Sequence, residues 1–132
     1  KAEEGGCWQD PANYVLKVLS FVKLDTEDEE YIKEYLYQTG PLAVALDADP
    51  LQSYYGGIVE GDCWDCEEAE INHGVTMVGY GATEKGTKYW ICKNSWGSAW
   101  GEQGYFRIER GVGACLINTW VASAEVAKYK EE

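Results

Sequence analysis

"HGVTMVGYGATEKGTKYWICKN", residues 73–94, decides how this chain is read. Two stretches suited to strands flank "GATEKG", whose bounding Gly81 and Gly86 mark a turn, so the segment reads as a β-hairpin. A turn centred between Thr83 and Glu84 sets His73 directly opposite Asn94. Opposed residues of an antiparallel pair point to one face, with Cβ atoms roughly 4.5–5.5 Å apart. Asn94 is then placed to hold a ring N–H of His73, the chain's only histidine, and to fix its tautomer as a general base requires. A one-residue bulge would break that register. The same spacing also fits a histidine merely hydrogen-bonded at a strand end.

Outward from the hairpin, "YVLKVLSFVKL" (14–24) reads as one strand or two short ones. "DTEDEEYIKEYLYQTGP" (25–41) carries helix punctuation. Thr26 with Glu29 forms a capping box, Ile32, Tyr35 and Leu36 make an apolar stripe, and Gly40-Pro41 ends it. Its acidic start reads as a solvated helix end, favourable at the positive pole of the helix dipole. "LAVAL" (42–46) is a short buried strand, and a polar loop runs on to Ile71. After the hairpin, "GYFRIER" and "LINTWVASAEV" are further strands. The expected class is α+β: one short helix and a mainly antiparallel, barrel-like β body.

At 132 residues the chain suffices for one domain with a core. Eleven basic against twenty-three acidic residues give a net charge of −12, which leaves no basic stripe for nucleic acid. No apolar run approaches the roughly 20 residues that span a bilayer. The chain begins at Lys1 and reads as a processed chain or a fragment. Five cysteines, an odd number, imply a free thiol or a partner outside the chain.

"NHGVTMVGYG" (72–81) followed by "YWICKNSWGSAWGEQGYFRIERG" (89–111) resembles the C-terminal half of papain-like cysteine proteases, the cathepsin group. "GPLAVALDA" (40–48), "YYGGIV" (54–59) and "CLI" (115–117) match the family in order and spacing, so the resemblance covers essentially the whole chain. It implies that residues 1–132 form the C-terminal, right-hand β domain of that fold. It implies peptide-bond hydrolysis through an acyl-enzyme, with His73 as general acid/base and Asn94 orienting its imidazole. Trp96 shields their hydrogen bond and helps line the cleft. Ala45, Ile71, Asn72 and Trp120 fall at positions of the primary specificity pocket, where Trp120 replaces a smaller or acidic residue.

The nucleophilic cysteine of such enzymes lies in an N-terminal helical half, in a Gln…Cys-Gly-Ser-Cys-Trp context that this sequence lacks. Cys63, in "GDCWDC", is no substitute: neighbouring Asp62, Asp65, Glu67 and Glu68 favour a protonated thiol. The chain is therefore expected to be a peptidase only with that half, and inactive alone. Cys63 and Cys66 with His73 and Cys115 make a nominal zinc set, but a single Cys-x-x-Cys pair is a weak signal, and neither metal nor cofactor is expected. The resemblance pairs Cys66 with Cys115, gives Cys7 a partner in the missing half, and leaves Cys92 as a small buried hydrophobe. Expected partners are the helical half, peptide or protein substrates, and propeptide or cystatin-type inhibitors, in a lysosomal or secreted setting. The rival reading is an inactive binding or storage protein, or an isolated fragment.

Overall fold

The computed structural model describes residues 4–61 and 69–129, in two compact units. The larger runs from Val22 to Ser123; the smaller combines the chain up to Phe21 with the chain from Ala124. Strands β1 (Leu16–Lys23) and β7 (Trp120–Lys128) each lend residues to both units.

Within the larger unit the elements are α1 (Glu29–Thr39), β2 (Leu42–Leu46), β3 (Ile58–Val59), β4 (His73–Ala82), β5 (Lys88–Lys93) and β6 (Tyr105–Glu109). The strands lie side by side in the order β7-β2-β4-β5-β6-β3. All these neighbours run antiparallel except β3 and β6, which are parallel over two residues. The register aligns the apolar half of every strand. Val44 faces both Val75 and Val121, Met77 faces both Leu42 and Cys92, and Cys92 faces Phe106. These side chains are buried on one face, joined by Ile32 and Leu36 of α1 and by Trp90. Burying a side chain of this size contributes about 1.5–3 kcal/mol. The other face carries small or polar residues, among them Ala43, Ala45, Gly74, Thr76 and Lys93, because strand side chains alternate.

Helix α1 ends at Gly40, whose φ of 91° suits glycine alone among common residues. Its start departs from the expected capping box. Asp28 is the cap, accepting from Glu30 N at 3.0 Å, while Thr26 Oγ1 accepts from Asp28 N. Glu29 is not a solvated acid at all. It is buried, with one carboxylate oxygen accepting from Trp90 Nε1 at 2.8 Å and the other from Gly111 N and Gly113 N at 2.8 and 2.9 Å. Three donors replace the water that a buried carboxylate gives up. Helix start, central strand and the turn after β6 are thereby tied together.

The hairpin register also differs from expectation. Thr83 and Thr87 exchange hydrogen bonds across the turn, Gly86 adopts φ 90°, and the pairs Ala82↔Lys88 and Gly81↔Tyr89 centre it on Lys85. A β-bulge between Met77 and Gly79 then shifts the pairing to Met77↔Cys92 and Thr76↔Lys93. Continued one step, this sets Asn94 level with Val75, not His73. Residues two apart on a strand share a face, so Asn94 still points to His73's side. Without the bulge Asn94 would be level with Thr76 and face away.

In the smaller unit, β1 and the end of β7 are joined by Tyr129 N to Val15 O and by Ser20 Oγ to Glu125. Tyr14 and Tyr129 pack edge to face at 5.1 Å. The strand expected within 14–24 is thus one continuous strand, Leu16–Lys23, and its side chains are exposed, while Leu24 after it is buried.

Candidate active site

His73 opens β4 opposite the last residue of β2, Leu46. Its Nε2 lies 2.8 Å from Asn94 Oδ1. Asn94 is buried, 7% exposed, and the same Oδ1 accepts the backbone N–H of Ser95 at 2.8 Å. A peptide N–H only donates, so it selects the oxygen end of the amide for this corner. The oxygen in turn requires a proton on His73 Nε2. In the neutral ring Nδ1 is then the basic nitrogen, and no hydrogen bond occupies it among the described residues. Asn94 Nδ2 is buried without a partner there.

Aromatic rings pack beside His73. Trp96 lies against His73 with ring centroids 5.2 Å apart, and Trp100 meets Trp96 edge-on at 5.1 Å. Trp100 is held by its Nε1–H to Leu51 O at 3.2 Å and by packing on Tyr54 and Phe106.

Ala45 sits opposite both Gly74 and Trp120, so two of the expected pocket residues meet. Together with Ala43, Thr76, Lys93, Asn94 and Ser95 they line a concavity of about 570 Å³. Trp120 is partly exposed there, at 39%. Ile71 is exposed and does not line it. The Asn72 side chain is engaged elsewhere: Oδ1 accepts from Ala48 N at 2.9 Å, and Nδ2 donates to Asp47 and Asp49 at 3.2 and 3.3 Å.

Among the cysteines, Cys92 is fully buried on the core face of β5, and burial pushes its thiol pKa up, away from thiolate chemistry. Cys7 is exposed. Cys115 is buried, with left-handed backbone (φ 51°), and its carbonyl accepts from Asp47 N at 2.9 Å. Cys63 and Cys66, and with them the expected Cys66–Cys115 pair, lie outside the described residues. Among the described residues no three His, Cys, Asp or Glu side chains are grouped to hold a metal ion. No described helix is long and apolar enough to cross a membrane.

Three contributors escaped the sequence reading. Ser95 acts through its backbone, which no side-chain motif reveals. Trp100 was visible in "SWGSAWG" but only its packing on Trp96 gives it a part. Asp47 carried no signal beyond its place at the end of a strand.

The model of the papain family of cysteine proteases matches residues 1–125. A viral cathepsin of Adoxophyes honmai nucleopolyhedrovirus is 42% identical over 121 residues, covering 92% of this chain and 34% of that protein. A cysteine proteinase of Trypanosoma brucei brucei is 46% identical over 100 residues, 76% of this chain and 21% of the relative. The solved structure of digestive procathepsin L 3 from Tenebrio molitor larval midgut superposes with a TM-score of 0.83 at 40% identity, covering 94% of this chain and 40% of the other. The chain thus spans about a third of the length of the viral relative it matches. With a mainly antiparallel sheet and one α-helix among its described residues, the chain belongs to the papain family of cysteine proteases.

Proposed function

We propose that residues 1–132 form the C-terminal β domain of a cysteine peptidase that hydrolyses peptide bonds, and that His73 is its general acid/base. The observation that carries this is the Ser95–Asn94–His73 arrangement, which leaves Nδ1 as the basic nitrogen. Nδ1 takes the proton of a cysteine thiol supplied by the N-terminal helical half, giving a thiolate–imidazolium pair. The thiolate attacks the scissile carbonyl. The imidazolium returns its proton to the leaving amine as the acyl-enzyme forms, and Nδ1 then deprotonates the water that releases the acid. Asn94 Oδ1 accepts from Nε2–H throughout, so the ring keeps one orientation while its charge changes. The concavity beside Ala45 and Trp120 receives a substrate side chain. Oxyanion donors come from the helical half.

Further parts of this reading are a Cys66–Cys115 disulfide, control by a propeptide or cystatin-type inhibitor, and a lysosomal or secreted setting. The disulfide is tested by peptide mapping without reduction.

Combining the chain with an N-terminal segment that carries the nucleophilic cysteine should restore hydrolysis and labelling by a thiol-directed epoxide. His73→Ala in that pair should lower turnover by on the order of 10²–10⁴-fold or more. The isolated chain should do neither; peptide cleavage with labelling of Cys63 in the isolated chain would overturn the division of labour.

A further inference from the structure

Entry into β4 is held by carboxylates, those of Asp47 and Asp49, that do not hydrogen-bond the imidazole, and Asp47 makes most of these contacts. Asp47 follows Leu46, the residue opposite His73. Its Oδ1 accepts from Asn72 Nδ2 at 3.2 Å and from Asp49 N at 3.0 Å, and its Oδ2 accepts from Glu70 N at 3.3 Å. Its own N–H donates to Cys115 O at 2.9 Å. Asn72, held from the other side by Ala48 N on its Oδ1, also donates its backbone N–H to Leu46 O at 3.1 Å. Residues 70 and 72 are therefore both bound to the end of β2, and His73 comes next. Cys115 and Leu116 both adopt left-handed backbone, with φ of 51° and 61°, a conformation that side-chain-bearing residues keep only where their surroundings hold them. The Asp47 N–H is one of those holds.

We propose that Asp47 is a positioning residue for His73. It acts through Asn72, keeping the backbone at the start of β4 where the ring's Nε2 meets Asn94 and its Nδ1 stays open. This rests on the reading of His73 as base. Hydrogen-bonded partners beyond the reacting group fix a histidine's tautomer and ring orientation. Here the chain does so at the level of the backbone that carries the ring.

A single histidine makes the test direct. In the 132-residue chain labelled with ¹⁵N-histidine, the two ring-nitrogen shifts report the tautomer of His73 alone. The wild type should show predominantly Nε2–H. Asp47→Ala should mix the tautomers, with amide dispersion otherwise retained. Asp47→Asn keeps an oxygen for Asn72 Nδ2 and should restore much of the preference. Asn72→Ala should copy Asp47→Ala, and the double variant should add little, as partners in one network do. In the chain complemented with its helical half, Asp47→Ala should lower kcat about tenfold with KM nearly unchanged, a scale at which such outer partners act. A wild-type tautomer in Asp47→Ala, while Asn94→Ala does disturb it, would overturn the proposal and leave the base reading standing. A tautomer untouched by Asn94→Ala would instead strike at that reading. If Asp47→Ala fails to fold, Asp47→Asn and Asn72→Ala decide: a wild-type tautomer in Asn72→Ala overturns the proposal.

Discussion

Ser95 donates its backbone N–H to Asn94 Oδ1 at 2.8 Å, so a neighbouring peptide group decides which end of the amide His73 meets. A carboxamide flipped about its own axis would offer an N–H to a ring nitrogen and demand the opposite tautomer. The peptide group forbids that flip without being able to titrate. Removing the amide should therefore harm the reaction more than it harms binding. Asn94→Ala in the complemented enzyme should reduce kcat by tenfold or more, equivalent to at least about 1.4 kcal/mol of barrier, with little change in KM. Steady-state kinetics on one peptide substrate checks the split.

Glu29 gives a stability prediction with an unusual pattern. Its two oxygens accept three N–H groups inside the protein. A glutamine has one oxygen, so Glu29→Gln must turn an N–H₂ toward at least one donor. The isosteric change should then cost nearly as much as Glu29→Ala, on the order of 2–4 kcal/mol, because buried donors lose their acceptor in both. Urea unfolding followed by tryptophan fluorescence measures it, and Trp90 is a direct partner of the altered group.

Glu102 supplies a pH dependence. Hydrogen bonding from the Arg107 guanidinium holds its carboxyl pKa below the ordinary glutamate value, assisted by Gly57 N. A folded-state pKa below the unfolded one means that the native protein binds fewer protons here. This contribution is complete above the unfolded pKa and is lost as pH falls through the folded one. The pair is partly solvent-exposed, so the effect is modest. Thermal midpoints measured from pH 6 down to pH 3 should fall less steeply in Glu102→Gln than in the wild type.

If the proposed function holds, Trp120 bears on substrate choice. Its indole stands across from Ala45 at the edge of the 570 Å³ concavity. In the complemented enzyme it should favour small or medium apolar side chains at the position two before the scissile bond. Trp120→Ala should raise kcat/KM for phenylalanine and arginine there by roughly 10-fold, the range that pocket contacts of this kind command. A peptide library profiled with both enzymes reads the difference.

Much of the fold could be read from short-range chemistry. Gly40 announces the end of α1, and the spacing of Leu42, Val44 and Leu46 announces a strand with one buried side. That His73 and Asn94 meet was legible because both sit in the stretches that carry the family resemblance. Glu29 was not, since it is one of several acids in a row and its partners lie 61 to 84 residues away. Asp47 was hidden for the same reason, its partners being Asn72 and Cys115. The hairpin register was misplaced because the Thr83–Thr87 closure sets the centre, and no residue type marks Val78 as the bulge.

The extra residue at Val78 makes the meeting of His73 and Asn94 a matter of parity. Exchanging Val78 for another β-forming residue leaves the count between the two unchanged. Deleting it, or inserting one residue within either strand between the bulge and the site, turns Asn94 to the opposite side of the sheet without altering a single atom of either residue. Length changes there therefore sort by odd and even: a change of one separates His73 from Asn94, while a change of two restores the face and only slides the partners along it.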